Sequence, residues 1–178
     1  MPKTILYIGQ SLDGYIARPD GSLDWLTSFP PPKTGDYGYE SLLEQTELIV
    51  MGRKTYEELL GFGIDWPYTD FKTLVVSSNS SFKISTENTA LVSDNIEKHL
   101  SDWKTNVTKN AWIVGGAQLI KSLLDKQLID EIIISILPKT IGNGIKLFSE
   151  GCIETDFELI DCTTYETGLV NLHYKKSN

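Results

Sequence analysis

Five apolar, β-branched runs constrain this chain more than any other feature: Thr4–Gly9, Leu48–Met51, Thr73–Val76, Ala111–Val114 and Ile132–Leu137. A strand with one wet face alternates polar and apolar residues, whereas these do not, so both of their faces are buried, as in the centre of a parallel sheet covered by helices. The intervening segments supply those helices. Helical patterns run from after Asp36 through Glu44, over Lys54–Leu60, over Ile96–Trp103 and over Gln118–Leu124. Asp94 and Glu97 have the spacing of a capping box in front of the third. The pattern then changes: Phe157–Tyr165 and Leu169–Tyr174 flank Glu166-Thr167-Gly168, which predicts an antiparallel C-terminal hairpin added to a mostly parallel sheet. With 178 residues, no linker and no internal repeat, the chain reads as one α/β domain spanning residues 1–178.

Charge and residue usage narrow the partners. The formal net charge is −8, which disfavours nucleic acid or an anionic membrane as a partner. No apolar run approaches the roughly 20 residues needed to span a bilayer. The chain enters its first strand almost at once, so a soluble, cytoplasmic protein is expected. Cys152 and Cys162 lack zinc-site spacing, and His99 and His173 have no partner pattern, so no metal is expected.

Two strand ends carry the chemistry. Leu48-Ile49-Val50-Met51 runs into Gly52-Arg53-Lys54-Thr55 where a helix begins, and Ile113-Val114 runs into Gly115-Gly116-Ala117-Gln118 in the same way. Helix N-termini present unpaired N–H groups and a partial positive charge, so both junctions suit phosphate. Two of them in one small domain point to a dinucleotide. It is not held by a P-loop, because Glu47 occupies the position of that loop's first glycine. It is not held by a Rossmann turn either, because Gly9, Gly14 and Gly21 are wrongly spaced.

At this point the chain resembles a known family. Ser11-Leu12-Asp13-Gly14-Tyr15-Ile16-Ala17, Asp24-Trp25, Met51-Gly52-Arg53-Lys54-Thr55-Tyr56-Glu57, Val75-Val76-Ser77-Ser78, Ile113-Val114-Gly115-Gly116 and Gly142-Asn143-Gly144 before Leu147-Phe148 follow one another as in dihydrofolate reductase-like proteins. Among these the chain is most similar to the reductase domain of bacterial riboflavin biosynthesis and its stand-alone relatives. It lacks the His-x-Glu and Pro-Cys-x-x-Cys elements of the deaminase to which that domain is often fused. The resemblance implies a three-layer α/β sandwich around an eight-stranded sheet, with NADPH across the strand ends.

The same resemblance assigns residues. Arg53, Lys54 and Thr55, with Gly52, would meet the 2′-phosphate and pyrophosphate, and Ser77, Ser78 and Asn79 would complete that pocket. Val114, Gly115, Gly116, Ala117, Gln118 and Leu119 would receive the pyrophosphate, and in such proteins the peptide between the two glycines is often cis. Gly9, Ile16 and Ala17 would line the nicotinamide pocket, under a loop from Leu12 to Trp25. Neutral donors after the third run, facing two cations, favour NADPH over NADH.

On the substrate side the resemblance implies Trp25, Asp36, Glu40 and Ser135, with Asp36 as the proton donor. Asp36 is equally a natural helix cap, and Asp13 and Glu40 are alternative acids. An aromatic that would grip folate's aryl tail is missing at Glu40. The implied substrate is a small pyrimidine or pterin-type heterocycle, most like a ribosylaminopyrimidine. Dihydrofolate reduction or non-catalytic NADPH binding are the alternatives, and a homodimer is implied as the assembly.

Overall fold

A computed structural model describes residues 1–105 and 107–177. In chain order the elements are β1 (Thr4–Ser11), β2 (Tyr15–Ala17), α1 (Asp24–Thr27), α2 (Tyr39–Glu44), β3 (Thr46–Gly52), α3 (Arg53–Gly61), β4 (Lys72–Val76) and β5 (Thr89–Val92). They continue with α4 (Ile96–Lys104), β6 (Asn110–Gly115), α5 (Ala117–Asp125), β7 (Glu131–Leu137), β8 (Ile145–Lys146), β9 (Phe157–Thr164) and β10 (Val170–Lys176). Eight strands form one sheet in the order β5-β4-β3-β6-β1-β7-β10-β9, and β2 pairs with β8 in a separate ribbon. All neighbours from β5 to β7 are parallel, while β10 runs antiparallel to both β7 and β9.

The five unalternating runs are the five central strands, buried on both faces as expected. On one face, Leu6, Val50, Ile113, Ile132 and Ile134 pack with Ile96 and Leu100 of α4 and with Leu119, Ile120, Leu123 and Leu124 of α5. On the other, Ile5, Ile49, Met51, Val75 and Trp112 pack with Leu42 of α2 and Tyr56 of α3. Three layers result, and no helix among the described residues is long and apolar enough to cross a membrane.

The second face is aromatic. Tyr7, Tyr39 and Tyr68 meet Trp112 edge-on at 6.4, 5.6 and 5.6 Å, and Tyr68–Trp66, Trp66–Tyr56 and Tyr56–Phe82 continue the series at 5.2, 5.3 and 6.0 Å. Edge-to-face rings gain from quadrupole complementarity beyond their buried area. Burial pushes the Tyr68 phenol well above its ordinary pKa, so it stays neutral.

Several details depart from the sequence expectation. β1 continues past Gly9 to Ser11, and β5 is a half-exposed edge strand with too little apolar content to stand out. The α4 cap is Asn95, not Asp94: the Asn95 side chain accepts from Lys98 N at 3.1 Å, one residue nearer the helix than the capping-box spacing implied. The β2–β8 ribbon is too short to have a periodicity, and close backbone approach defines it. A Cβ on Gly144 would lie 2.2 Å from Ala17 O and 3.3 Å from Ala17 C, both backbone atoms that cannot swing aside.

Gly144→Ala is therefore expected to separate β2 from the Gly142–Lys146 segment and to cost about 2 kcal/mol or more. Urea denaturation compared with the parent chain measures this; an unchanged midpoint would mean that the ribbon contributes nothing to the fold.

Candidate active site

Register brings the two phosphate-type junctions together. β3 and β6 are hydrogen-bonded neighbours with Met51 opposite Gly115, and β4 stands on the other side of β3 with Val76 opposite Gly52. Three strand ends therefore open in one row, leading into Ser77-Ser78, Arg53-Lys54-Thr55 and Gly116-Ala117-Gln118. Neither α3 nor α5 has a side-chain cap on its first N–H groups, so both helices offer unsatisfied donors and positive dipole ends at the same edge.

The junctions nearly touch. A Cβ on Gly116 would meet Thr55 Oγ1 at 3.4 Å, and one on Gly52 would meet Gly115 O at 3.7 Å. Gly115 and Gly116 have φ of 145° and 46°, in the region that favours glycine. Their peptide is trans, in contrast to the cis form that the family resemblance suggested.

The remaining cofactor candidates fall around this row. Ser78, Lys54 and Gln118 are exposed. Ser77 is buried, with its hydroxyl accepting from Asn79 N at 3.1 Å. Arg53 is half-buried; its Nη1 donates to both carboxylate oxygens of Glu57 at 2.8 Å, and its guanidinium carbon lies 5.7 Å from the Phe82 ring centroid. Val114 packs on the aromatic face, whereas Leu119 is buried in the opposite core. Its backbone can face the crevice, but its side chain serves packing. Ile16 and Ala17 are buried, and the Gly9 side of β1 faces Leu26, which a Cβ would meet at 3.1 Å.

The substrate-side candidates gather two strands away. Gly9, Ser135 and Asn171 are in register across β1, β7 and β10. Buried Ser135 donates to Asn171 Oδ1 at 2.6 Å, and Asn171 Nδ2 donates to Tyr37 O at 2.7 Å. Tyr7 Oη donates to the same carbonyl at 3.2 Å. Tyr37 adopts φ 62°, an unusual value for a bulky residue, held by these two bonds and by its own hydroxyl against Pro30 O and Thr167 Oγ1.

Asp36 immediately precedes this anchored residue. Its carboxylate accepts from Gly38 N at 3.1 Å and from Glu40 N, so it caps the start of α2 while lying against the tyrosine wall. Its charge reaches that wall. Burial raises the Tyr7 phenol, the Ser135 hydroxyl offsets part of the rise, and Asp36 adds to it; burial and Asp36 likewise raise Tyr165 and Tyr39. Glu40 is exposed on the first turn of α2.

Trp25 is almost fully buried, packs with Leu137, Leu169 and Tyr37, and has no hydrogen-bond partner on Nε1 among the described residues. Sequence reasoning missed Tyr7, Tyr37, Tyr165 and Asn171. Tyr7 had a faint signal as the polar-tipped ring inside an apolar strand; Asn171 had none, because its partners are Ser135 and Tyr37, which lie 36 and 134 positions away.

The loop after β1 is tied down. Asp13 accepts from Ser11 Oγ at 2.6 Å, Ile141 N at 3.1 Å and Gly142 N at 2.7 Å, and Leu147 N donates to Gly14 O. Asp13 is thus occupied as a clamp rather than placed as an acid. Farther along, Arg18 pairs with Asp24. Among the described residues no cluster of three or more His, Cys, Asp or Glu could hold a metal ion.

Known proteins resemble this chain over nearly its whole length. The family model described as the RibD C-terminal domain matches residues 2–171. The uncharacterized protein YwjB of Bacillus subtilis is 35% identical over 98% of this chain and 98% of its own. A candidate riboflavin biosynthesis protein from Shewanella sp. PV-4 superposes with a TM-score of 0.88 at 32% identity, covering 99% of each chain. Dihydrofolate reductase from Enterococcus faecalis, solved with NADP(H), superposes with a TM-score of 0.64 at 16% identity, covering 99% of this chain and 97% of that one. This last likeness establishes the dihydrofolate reductase-like fold.

The Asp13 clamp is testable by pH. The Ser11 hydroxyl, followed by the Gly142 and Ile141 amides, holds its carboxyl below the ordinary range against the opposing effect of desolvation. Its folded pKa is thus below its unfolded one, so its contribution to stability is fully present above the unfolded value of about 3.9 and is lost as pH falls through the folded value. Asp13→Asn should lower the urea midpoint by a constant amount between about pH 5 and 7, with the gap to the parent closing below about pH 4. A gap that stays constant into strong acid would rule out the carboxylate charge as its origin.

Proposed function

The chain belongs to the RibD C-terminal domain family, and from that premise we propose that it is an NADPH-dependent reductase acting on a pyrimidine- or pterin-type heterocycle or its attached sugar. The reaction it most resembles is the reduction of 5-amino-6-(5-phosphoribosylamino)uracil in riboflavin biosynthesis. One observation carries this reading: two helix N-termini without side-chain caps, fed by neighbouring parallel strands, meet at Gly52, Thr55 and Gly116. A single anion needs one such terminus, while a pyrophosphate with a further phosphate suits two termini beside cations.

When bound, NADPH supplies the hydride. The chain's own residues bind and orient. Arg53 and Lys54 attract the 2′-phosphate, and Ser77 and Ser78 follow β4 where an NADH site commonly carries a carboxylate. Gly115 and Gly116 let the pyrophosphate approach the α5 amides. Gly9, Ile16 and Ala17 border the nicotinamide side, with Val114 and Leu119 flanking the phosphate turn. On the other side, Ser135 and Trp25 back the substrate wall, Glu40 stands at its rim, and Asp36 holds or delivers the proton at its carboxylate. The protein acts in the cytoplasm as a homodimer, with the exposed Leu159 and Ile160 of β9 as the contact.

Titration with NADPH and NADH, followed by energy transfer from the tryptophans, tests the cofactor. NADPH should bind more tightly, and Arg53→Ala should weaken it by roughly 10- to 100-fold, the worth of a lost charge-assisted bond. Ser78→Ala should weaken it by a smaller factor, with NADH little affected by either change. Binding of neither nucleotide would remove the reductase reading.

A second test addresses the acid. Asp36→Asn retains an oxygen that can cap α2, so the fold and NADPH affinity should persist while turnover of the ribosylaminopyrimidine falls by about 100-fold and its pH profile changes. Unchanged turnover and pH dependence would remove Asp36 from the chemistry.

A further inference from the structure

We propose that Glu57 sets how strongly the nucleotide site discriminates for a 2′-phosphate, by holding and partly neutralising Arg53. The proposal rests on the reading of Arg53 as the 2′-phosphate ligand and extends it to a residue that would not itself touch the nucleotide. Arg53 is the first residue of α3 and Glu57 lies one turn later on the same face; a single guanidinium nitrogen, Nη1, donates to both carboxylate oxygens at 2.8 Å. The Arg53 guanidinium carbon lies over the Phe82 ring, 5.7 Å from its centroid.

Both supports are themselves fixed. Phe82 packs edge-on against the buried Tyr56 at 6.0 Å. The Tyr56 hydroxyl in turn accepts from Ser85 N at 3.1 Å and bonds the Ser85 and Thr86 hydroxyls at 3.2 and 3.1 Å. Burial alone would raise the Tyr56 phenol, yet these bonds outweigh it and draw its pKa down. The segment carrying Phe82 is therefore pinned to the helix that carries Arg53 and Glu57.

Such a pair does little for stability. Arg53 and Glu57 side chains are 37% and 44% exposed, and exposed pairs one turn apart contribute weakly. At the nucleotide site the consequence is larger. Nη1 is engaged by Glu57, which leaves Nε and Nη2 as the edge free to donate to an incoming anion. A phosphate hydrogen-bonded to that edge would lie about 6–8 Å from the Glu57 carboxylate, two hydrogen-bond lengths and the width of the guanidinium apart. A dianion is repelled over that distance through water-like dielectric by an amount worth about two- to threefold in affinity, after screening at physiological salt. A 2′-hydroxyl is not repelled. Glu57 thus orients Arg53 and at the same time caps the preference for NADPH over NADH.

The test is Glu57→Gln, which keeps an oxygen to accept from Nη1 and removes the charge. Tryptophan energy-transfer titrations at 0.15 M salt should show NADPH tightened about two- to threefold with NADH unchanged. The gain should vanish at about 1 M salt, where the Debye length is about 3 Å. Phe82→Leu, which removes the ring beneath the Arg53 cation, should weaken NADPH and spare NADH. Unchanged NADPH affinity in Glu57→Gln, or an equal change for both nucleotides, overturns the proposal while leaving the cofactor assignment intact. A parent protein that does not prefer NADPH, or whose preference survives Arg53→Ala, overturns both.

Discussion

The parallel pairing of β3 with β6, which sets Met51 opposite Gly115, is the constraint on which the remaining structure depends. Each strand ends in a glycine-containing turn and starts a helix without a side-chain cap, and a single uncapped helix end is commonplace. Placed side by side, two such ends superimpose their dipoles and orphan N–H groups at one edge. The pairing is deep in the sheet: Val50, Met51 and Ile113 are inaccessible to solvent. A slip of β3 by one residue would send Val50 to the face of Ile49 and Met51 and those two to the face of Val50, and would take the two junctions out of register. Core packing and the candidate anion site therefore have a common origin, and the site is as rigid as the sheet that carries it.

The second half of the site depends on hydrogen bonds rather than on apolar burial. Tyr7, Ser135 and Asn171 come from three adjacent strands and converge, directly or through one another, on the carbonyl of Tyr37. A neutral hydrogen bond adds only about 1 kcal/mol net, but an abandoned buried polar partner costs about 1–3 kcal/mol. Such a network fixes geometry more than it adds stability. It holds Tyr37 at a backbone angle that the residue would not otherwise choose, and so fixes Asp36, one residue earlier. The candidate acid owes its place to β1, β7 and β10, from which it is distant in sequence. The aromatic series from Tyr7 through Trp112, Tyr68, Trp66 and Tyr56 to Phe82 runs beneath the sheet between this wall and Arg53, so the two halves share one packed layer.

How much of this could be read in advance follows from the range of each interaction. The central strands were legible because burial on both faces favours apolar residues at most positions, with few polar exceptions such as Thr73 and Ser135. The helices were legible within a few residues because their ends are local. β5 was not, since an edge strand need not be apolar, and the β2–β8 ribbon was not, since a Gly144 contact with Ala17 leaves only a glycine as its trace. The α4 cap moved from Asp94 to Asn95 because two adjacent residues can both cap and only the chain's approach to the helix selects one. Asp36 was readable as a cap or as an acid, and its carboxylate takes the cap's bonds while facing the tyrosines. Arg53 was readable as a cation at a helix start; its bond to Glu57 is a one-turn relation that the spacing permits without requiring.

What the sequence determined by itself is the five central strands and the C-terminal hairpin, four of the helices, the mostly parallel sheet with its antiparallel ending, and two glycine-containing strand-to-helix turns. All of these depend on residue periodicity and on glycine, hydroxyl and cationic residues within a few positions of one another. Tertiary structure alone decided that the two turns lie in register, that Asn171 and Tyr7 hold the backbone beside Asp36, and that Arg53 lies over the Phe82 ring. Those contacts join residues about 30 to more than 130 positions apart. No local pattern encodes them, because strand order and register bring such partners together only after the core has closed.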